Sequence, residues 1–207
     1  MFTFYYSPGA CSLASHIALH EAGASFEARR LNFGGNEQRS PEYLKLNPKG
    51  RVPALATLQG TLTETPAILA FIAQSFPHAN LAPLADPFAF AQLQAFNSYL
   101  CSTVHVAHAH GRRGIRWADE QSSFDDMKRK LPHSVGAAFA LIEEGMLKGP
   151  WVMGEAYSVA DPYLFTIAGW LEGDGVDVSK LPRVMEHRAR MAERESVRKA
   201  LAVETAA

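Results

Sequence analysis

The sequence predicts an α/β first half followed by an all-α second half. Three observations carry this. Up to about residue 76, short aromatic and β-branched runs alternate with helix-like pieces. Prolines at 77, 83 and 87 then interrupt any regular element. Beyond them the hydrophobic pattern is almost wholly helical. The expected division is a first domain over 1–77, a linker over 78–87 and a helical bundle over 88–207.

Within the first half, Phe2 to Tyr6 reads as a short buried strand, broken by the turn residues Ser7-Pro8-Gly9-Ala10. Cys11 and Ser12 open a helix reaching Glu21, with Leu13 and Ile17 at i, i+4 and Gly23 as its stop. Phe26 to Leu31 is a second strand. Gly34-Gly35-Asn36 is a loop, and Pro41 to Leu46 makes helical turns stopped by Asn47-Pro48-Lys49-Gly50. Val52-Pro53-Ala54-Leu55 begins a third strand, Gly60 marks a hairpin, and Thr61 to Thr63 forms a fourth. Thr65-Pro66 is a helix start: the hydroxyl can cap, and proline at the first helical position gives up no hydrogen bond. The order βαβ-α-ββα implies a small mixed sheet covered by helices.

In the second half, Phe88, Ala91, Ala95, Phe96, Tyr99 and Leu100 form an apolar helical stripe. A long helix is expected from about Asp119 to Leu147, with Pro132 as the place for a kink. Ser158-Val159-Ala160-Asp161 has capping-box spacing, with aspartate in place of glutamate. Pro182 starts a last helical stretch in which Val184 and Met191 lie one heptad apart.

The 207 residues, 47% apolar and 20% charged, suit a soluble globular protein with a proper core. A net charge of −1 supplies no global field to draw in nucleic acid or an acidic membrane. No segment approaches the roughly 18 to 20 apolar residues of a membrane span. With two cysteines and no export signal, the reducing cytoplasm is the expected location.

Cys11 is the most informative residue. A thiol at the first turn of a helix meets unpaired backbone N–H groups and the positive dipole end, and both favour the thiolate. The plainer reading is a small buried hydrophobe. Ser12 is a helix cap or a fallback hydroxyl for a sulfur. Tyr5 and Tyr6 face opposite sides of their strand, so at most one meets a site, and core packing is the plainer reading. His105 falls off the apolar stripe, on the face of Gln94, Ser98 and Cys101. A metal held by His105, His108 and His110 is disfavoured, because position 110 is rotated away and no cysteine or carboxylate sits among them. Arg112, Arg113, Arg116 and Trp117 make a cationic, aromatic patch. It is either a solvated face or a recognition site for an anionic substrate group. Cys101 reads as a packing residue, and Asp161 as a structural cap.

Tyr5-Tyr6-Ser7-Pro8-Gly9-Ala10-Cys11-Ser12-Leu13-Ala14-Ser15-His16-Ile17 resembles the cytosolic glutathione transferases, the bacterial beta class in particular. So do Asn47-Pro48-Lys49-Gly50-Arg51-Val52-Pro53-Ala54-Leu55, Leu62-Thr63-Glu64, Val159-Ala160-Asp161-Pro162-Tyr163-Leu164-Phe165 and Arg190-Met191-Ala192-Glu193-Arg194. The resemblance implies a thioredoxin-like first domain and a homodimer that binds glutathione as co-substrate, with no other cofactor and no metal. It implies catalytic roles for Cys11 and His105, and glutathione contacts from Ser12, Val52, Pro53, Glu64 and Thr65. The bond before Pro53 would be cis, with the Val52 backbone pairing the cysteinyl part of glutathione. Ser98 stands where family members present asparagine from the partner subunit. The electrophile pocket would draw on Tyr6, His108, Arg112 and Trp117. A lysine common in the family's loop after the second strand is missing from 33–38.

Three functions are compatible with these residues. The first is transfer of glutathione to a small electrophile. The second is glutathione-dependent thiol–disulfide exchange through Cys11. The third is a non-catalytic, ligand-binding dimer.

Overall fold

A computed structural model describes residues 1–206. The first half is built on four strands: β1 (Phe2–Tyr6), β2 (Phe26–Arg30), β3 (Ala54–Thr57) and β4 (Gly60–Thr63). They lie in the order β2-β1-β3-β4. β1 runs parallel to β2, with Phe4 opposite Ala28, and antiparallel to β3, with Phe4 opposite Leu55. β4 closes the sheet antiparallel to β3. Helix α1 (Ser12–Glu21) makes the crossover between the parallel strands. It ends where Gly23, at φ +64°, takes the left-handed conformation open to a residue without Cβ. Helix α2 (Pro41–Leu46) starts as expected, capped by the Ser40 hydroxyl, which accepts from the Tyr43 N–H. Helix α3 (Thr65–Ser75) completes the domain.

Residues 76–86 lead across to α4 (Pro87–Tyr99), α5 (His105–Arg113), α6 (Gln121–Leu141), α7 (Ala160–Ala168), α8 (Pro182–Ala192) and α9 (Glu195–Thr205). The long helix carries Pro132 inside it and ends in a widened turn at Ile142–Met146. The last stretch is two helices, broken at Glu193 and Arg194. Among the described residues no helix is long and apolar enough to cross a membrane.

The α4 stripe differs from expectation. Phe88, Ala91 and Ala95 are exposed, whereas Leu93, Phe96, Asn97 and Leu100 are buried. Leu93 and Asn97 lie i, i+4 and set a core face rotated from the one predicted. A run rich in Ala and Phe all around the helix gives periodicity too little contrast to locate the inward side.

The two halves share one core. Leu13 and Ile17 of α1 pack with Phe165, Met191 and Val197 of the helical half. Ile68, Leu69 and Ile72 of α3 join Leu93, Leu100 and Tyr163. Polar ties reinforce this. The buried His16 Nδ1 lies 3.4 Å from Glu204 Oε1, and the other oxygen of that carboxylate accepts the Gly9 N–H at 3.2 Å. The Gly9 carbonyl accepts from Trp170 Nε1 at 3.0 Å. Asp161, fully buried, accepts from the backbone N–H of Ser158 (2.7 Å) and Val152 (2.8 Å) and meets His187 Nε2 at 3.0 Å. It is the structural cap that its spacing predicted, and it also ties α7 to α8.

Candidate functional site

The β1–α1 turn, the β3 entry and the α3 start meet at one corner facing α5. Between them lies a cleft of about 320 Å³. Its lining includes Cys11, Val52, Pro53, Glu64, Thr65 and His105. A second lobe of about 210 Å³ opens on the other side of Cys11. It shares Cys11, Arg51, Val52, His105 and Arg116 with the first.

Cys11 is the residue preceding α1. Its thiol makes no capping bond and donates instead to the Val52 carbonyl at 3.5 Å. Burial opposes the expected thiolate. Burial pushes the thiol up to about 11, against the opposing pull of the Thr65 hydroxyl and the Arg113 guanidinium. Desolvation disfavours the charged form here more than the helix end and its neighbours favour it. The bond to a carbonyl acceptor also requires the proton.

The Val52–Pro53 bond is cis, as expected. Glu64 precedes α3 at φ +72°, unusual for a residue with a side chain. Its carboxylate meets Lys49 Nζ at 2.6 Å, and the same amine donates to Thr63 Oγ1 at 2.7 Å. Thr65 is buried and lies inside the helix, so it does not cap; Glu64 takes the boundary position.

His105 lies in the cleft, its ring edge-on to Trp170 with centroids 5.0 Å apart. Burial lowers it to about 4, helped by Arg113, His108, Arg116 and Arg51, so the ring is neutral at pH 7. A single widened turn at Leu100–Val104 separates α4 from α5. The extra residue in such a turn displaces the helical phase, and a fixed 100° per residue does not carry across it.

Three of the expected site residues, Tyr6, Ser12 and Arg112, lie elsewhere. Tyr6 faces the core at 3% exposure, its ring parallel to Phe4 and tilted against His16. Strand alternation puts it on the α1 side of the sheet, within the core. Ser12 is fully buried, and its hydroxyl both accepts the Ser7 N–H and donates to the Ser7 carbonyl. That exchange pins the β1–α1 turn and leaves the hydroxyl no path to a sulfur. Arg112 turns toward Gly173, beside Trp170 and away from Cys11, whereas Arg113 and Arg116 enter the lobe. Ser98, expected to serve a partner subunit and not its own cleft, is exposed on α4 and lines neither lobe.

His108 reaches the second lobe, its Nδ1 held by Asp174 at 2.8 Å and its ring stacked on Trp170 at 4.2 Å. Trp117 lines the main cleft and stacks on His110 at 4.1 Å. Cys101 packs against the core, as read from the sequence, and its free thiol also lines the cleft. Arg39, Arg51 and Tyr163 are lining residues that sequence reasoning missed. Two of them lie in turns and one in a core-like apolar run, so local pattern carried no signal.

A thioredoxin-like sheet with a cysteine at its first turn, a cis proline beside it and an all-α second half defines the glutathione transferase class of architecture. The chain belongs to the glutathione S-transferase family. Its residues 2–74 match the family's N-terminal domain and 112–195 its C-terminal domain. It is 30% identical to the glutathione S-transferase GstA of Escherichia coli O157:H7 over 97% of both chains. A glutathione transferase homologue from Sulfitobacter, solved with bound glutathione, is 46% identical, with a TM-score of 0.93 over 96% of each chain. The bacterial beta class enzyme of Sphingomonas chungbukensis is 35% identical, with a TM-score of 0.86 over 99% of this chain and all of that one.

Proposed function

We propose that the protein conjugates the thiol of glutathione to small electrophiles, and that the glutathione sulfur is the working nucleophile. The observation that carries this is the grouping of Val52, Glu64 and Thr65 around a cleft whose own cysteine is held as a thiol. Extended glutathione would pair its cysteinyl backbone with Val52 in the manner of an added strand. Its γ-glutamyl carboxylate would lie at the α3 N-terminus, where backbone N–H groups and the helix dipole favour an anion. Glu64 would take the ammonium. A non-glycine residue at positive φ beside a site fits a group held there for binding.

The sulfur would lie between Cys11 and His105. Neutral His105 can donate one ring N–H to a thiolate, and Arg51, Arg113 and Arg116 supply positive potential. Both lower the thiol pKa of the bound tripeptide. The thiolate then forms a C–S bond with the electrophile while the leaving group departs with its electron pair. Orientation in the cleft supplies much of the acceleration. We place the protein in the cytoplasm as a homodimer, with the exposed Phe88–Ala91–Ala95 side of α4 as a contact and Ser98 offered to the partner's cleft.

The test is turnover of 1-chloro-2,4-dinitrobenzene with glutathione. Activity should survive Cys11→Ala and fall at least about tenfold in His105→Ala, the scale of a lost charge-assisted hydrogen bond. Loss of all activity in Cys11→Ala, together with reduction of glutathionylated disulfides by the unmodified protein, would favour thiol–disulfide exchange instead.

A further inference from the structure

We propose that Arg113 and Arg116 form a subsite for a carboxylate carried by the electrophile, so that the preferred second substrates are anionic. This rests on the transferase reading and names its substrate class. The second lobe is lined by Arg39, Arg51, Arg113 and Arg116 together with His105 and His108, and no carboxylate lines it. The chain does not lack acids to pair with: Arg29, Arg129, Arg188, Arg190, Arg194 and Arg198 each meet a carboxylate. Among the described residues the four lobe arginines meet none within 4.0 Å.

Clustering them has a cost. Arg116 is held below the ordinary guanidinium range by partial desolvation and by its neighbours Arg51, Arg113 and Arg39. Like charges gathered without counter-charge in a concave site favour an anion as its occupant. A guanidinium fork matches a carboxylate bidentately. The lobe also has aromatic surface for an electrophile's body in Phe33 and Trp170, and it abuts Cys11 and so the position of the sulfur.

A carboxylate in this lobe has two possible sources, the electrophile and the glycyl end of glutathione. Arg39 and Arg51 belong to the first domain, on the side where an added strand along Val52 would end. Arg113 and Arg116 approach from α5 and the short turn after it, across the cleft from the tripeptide. Their position fits the electrophile's carboxylate, leaving Arg39 and Arg51 for the glycyl end.

Calorimetric titration of two product-like ligands tests this without turnover. The full-length protein should bind S-(4-carboxybenzyl)glutathione about tenfold or more tighter than S-benzylglutathione. In Arg113→Gln/Arg116→Gln the ratio should fall to near one, and in the single Arg116→Gln, a change at an exposed side chain, it should fall part of the way. Equal binding of the two ligands by the unmodified protein, or a ratio unchanged in both variants, would overturn the proposal and leave the transferase reading intact. Binding of neither ligand would overturn both. A third ligand separates the sources: the glycyl amide of S-benzylglutathione should lose as much affinity in the variants as in the unmodified protein. If that loss disappears in the variants, the two arginines serve the glycyl carboxylate and the proposal fails.

Discussion

At Cys11, desolvation acts against the helix end and the Thr65 hydroxyl, and desolvation prevails. In the ligand-free protein, iodoacetamide labelling should therefore show a midpoint above pH 9, the ordinary thiol value here. Thr65→Val removes a donor that favours the anion and should move the midpoint higher still. Position 64 has the opposite character. The Lys49–Glu64 pair is about half exposed, so its loss costs little stability. The positive φ of Glu64, by contrast, is a conformation that glycine adopts freely. Glu64→Gly should raise stability by about 1 kcal/mol in denaturant titrations and weaken glutathione binding in the same protein.

The widened turn at Leu100–Val104 joins α4 to α5, the helix that carries His105. A turn of this kind is an α-helix with one residue inserted, and removing that residue restores the α ladder without moving what flanks it. Deletion of the exposed Ser102 should keep His105 in the cleft, with glutathione affinity within about threefold by calorimetry. Deletion of Ala107, inside regular helix, would turn the residues beyond it by about 100° and take Arg113 and Arg116 out of the lobe. Most elements were legible in the sequence because turn residues mark their ends, as Asn47-Pro48-Lys49-Gly50 and Gly23 do. The Cys11, Val52 and Glu64 positions were legible from their motifs. What stayed hidden depends on direction: which side of β1 Tyr6 faces, how one extra residue rephases α5, and which of two adjacent arginines enters the lobe. Sequence spacing fixes such directions only along an uninterrupted element with a clear apolar side.

Across the whole molecule, stability should fall in acid. His20 and His105 both sit at about 4 in the folded protein against an ordinary 6.5, so the unfolded chain binds protons that the folded one resists. Their contribution is complete above about pH 6.5 and is lost as pH drops toward 4. Thermal melts across that window should show a declining Tm, and His20→Phe should flatten the decline. The reach of α9 back to the first domain has a further consequence. With Glu204 on the Gly9 amide and Trp170 on its carbonyl, the loop bearing the thiol is gripped by residues far along the chain. The amino-terminal piece expressed alone would face water with Leu13 and Ile17 bare and His16 without its Glu204 partner. A polypeptide cut between its halves should thus recover neither part in working order, and the final helix belongs to the cleft's foundations as much as the strand that begins the chain.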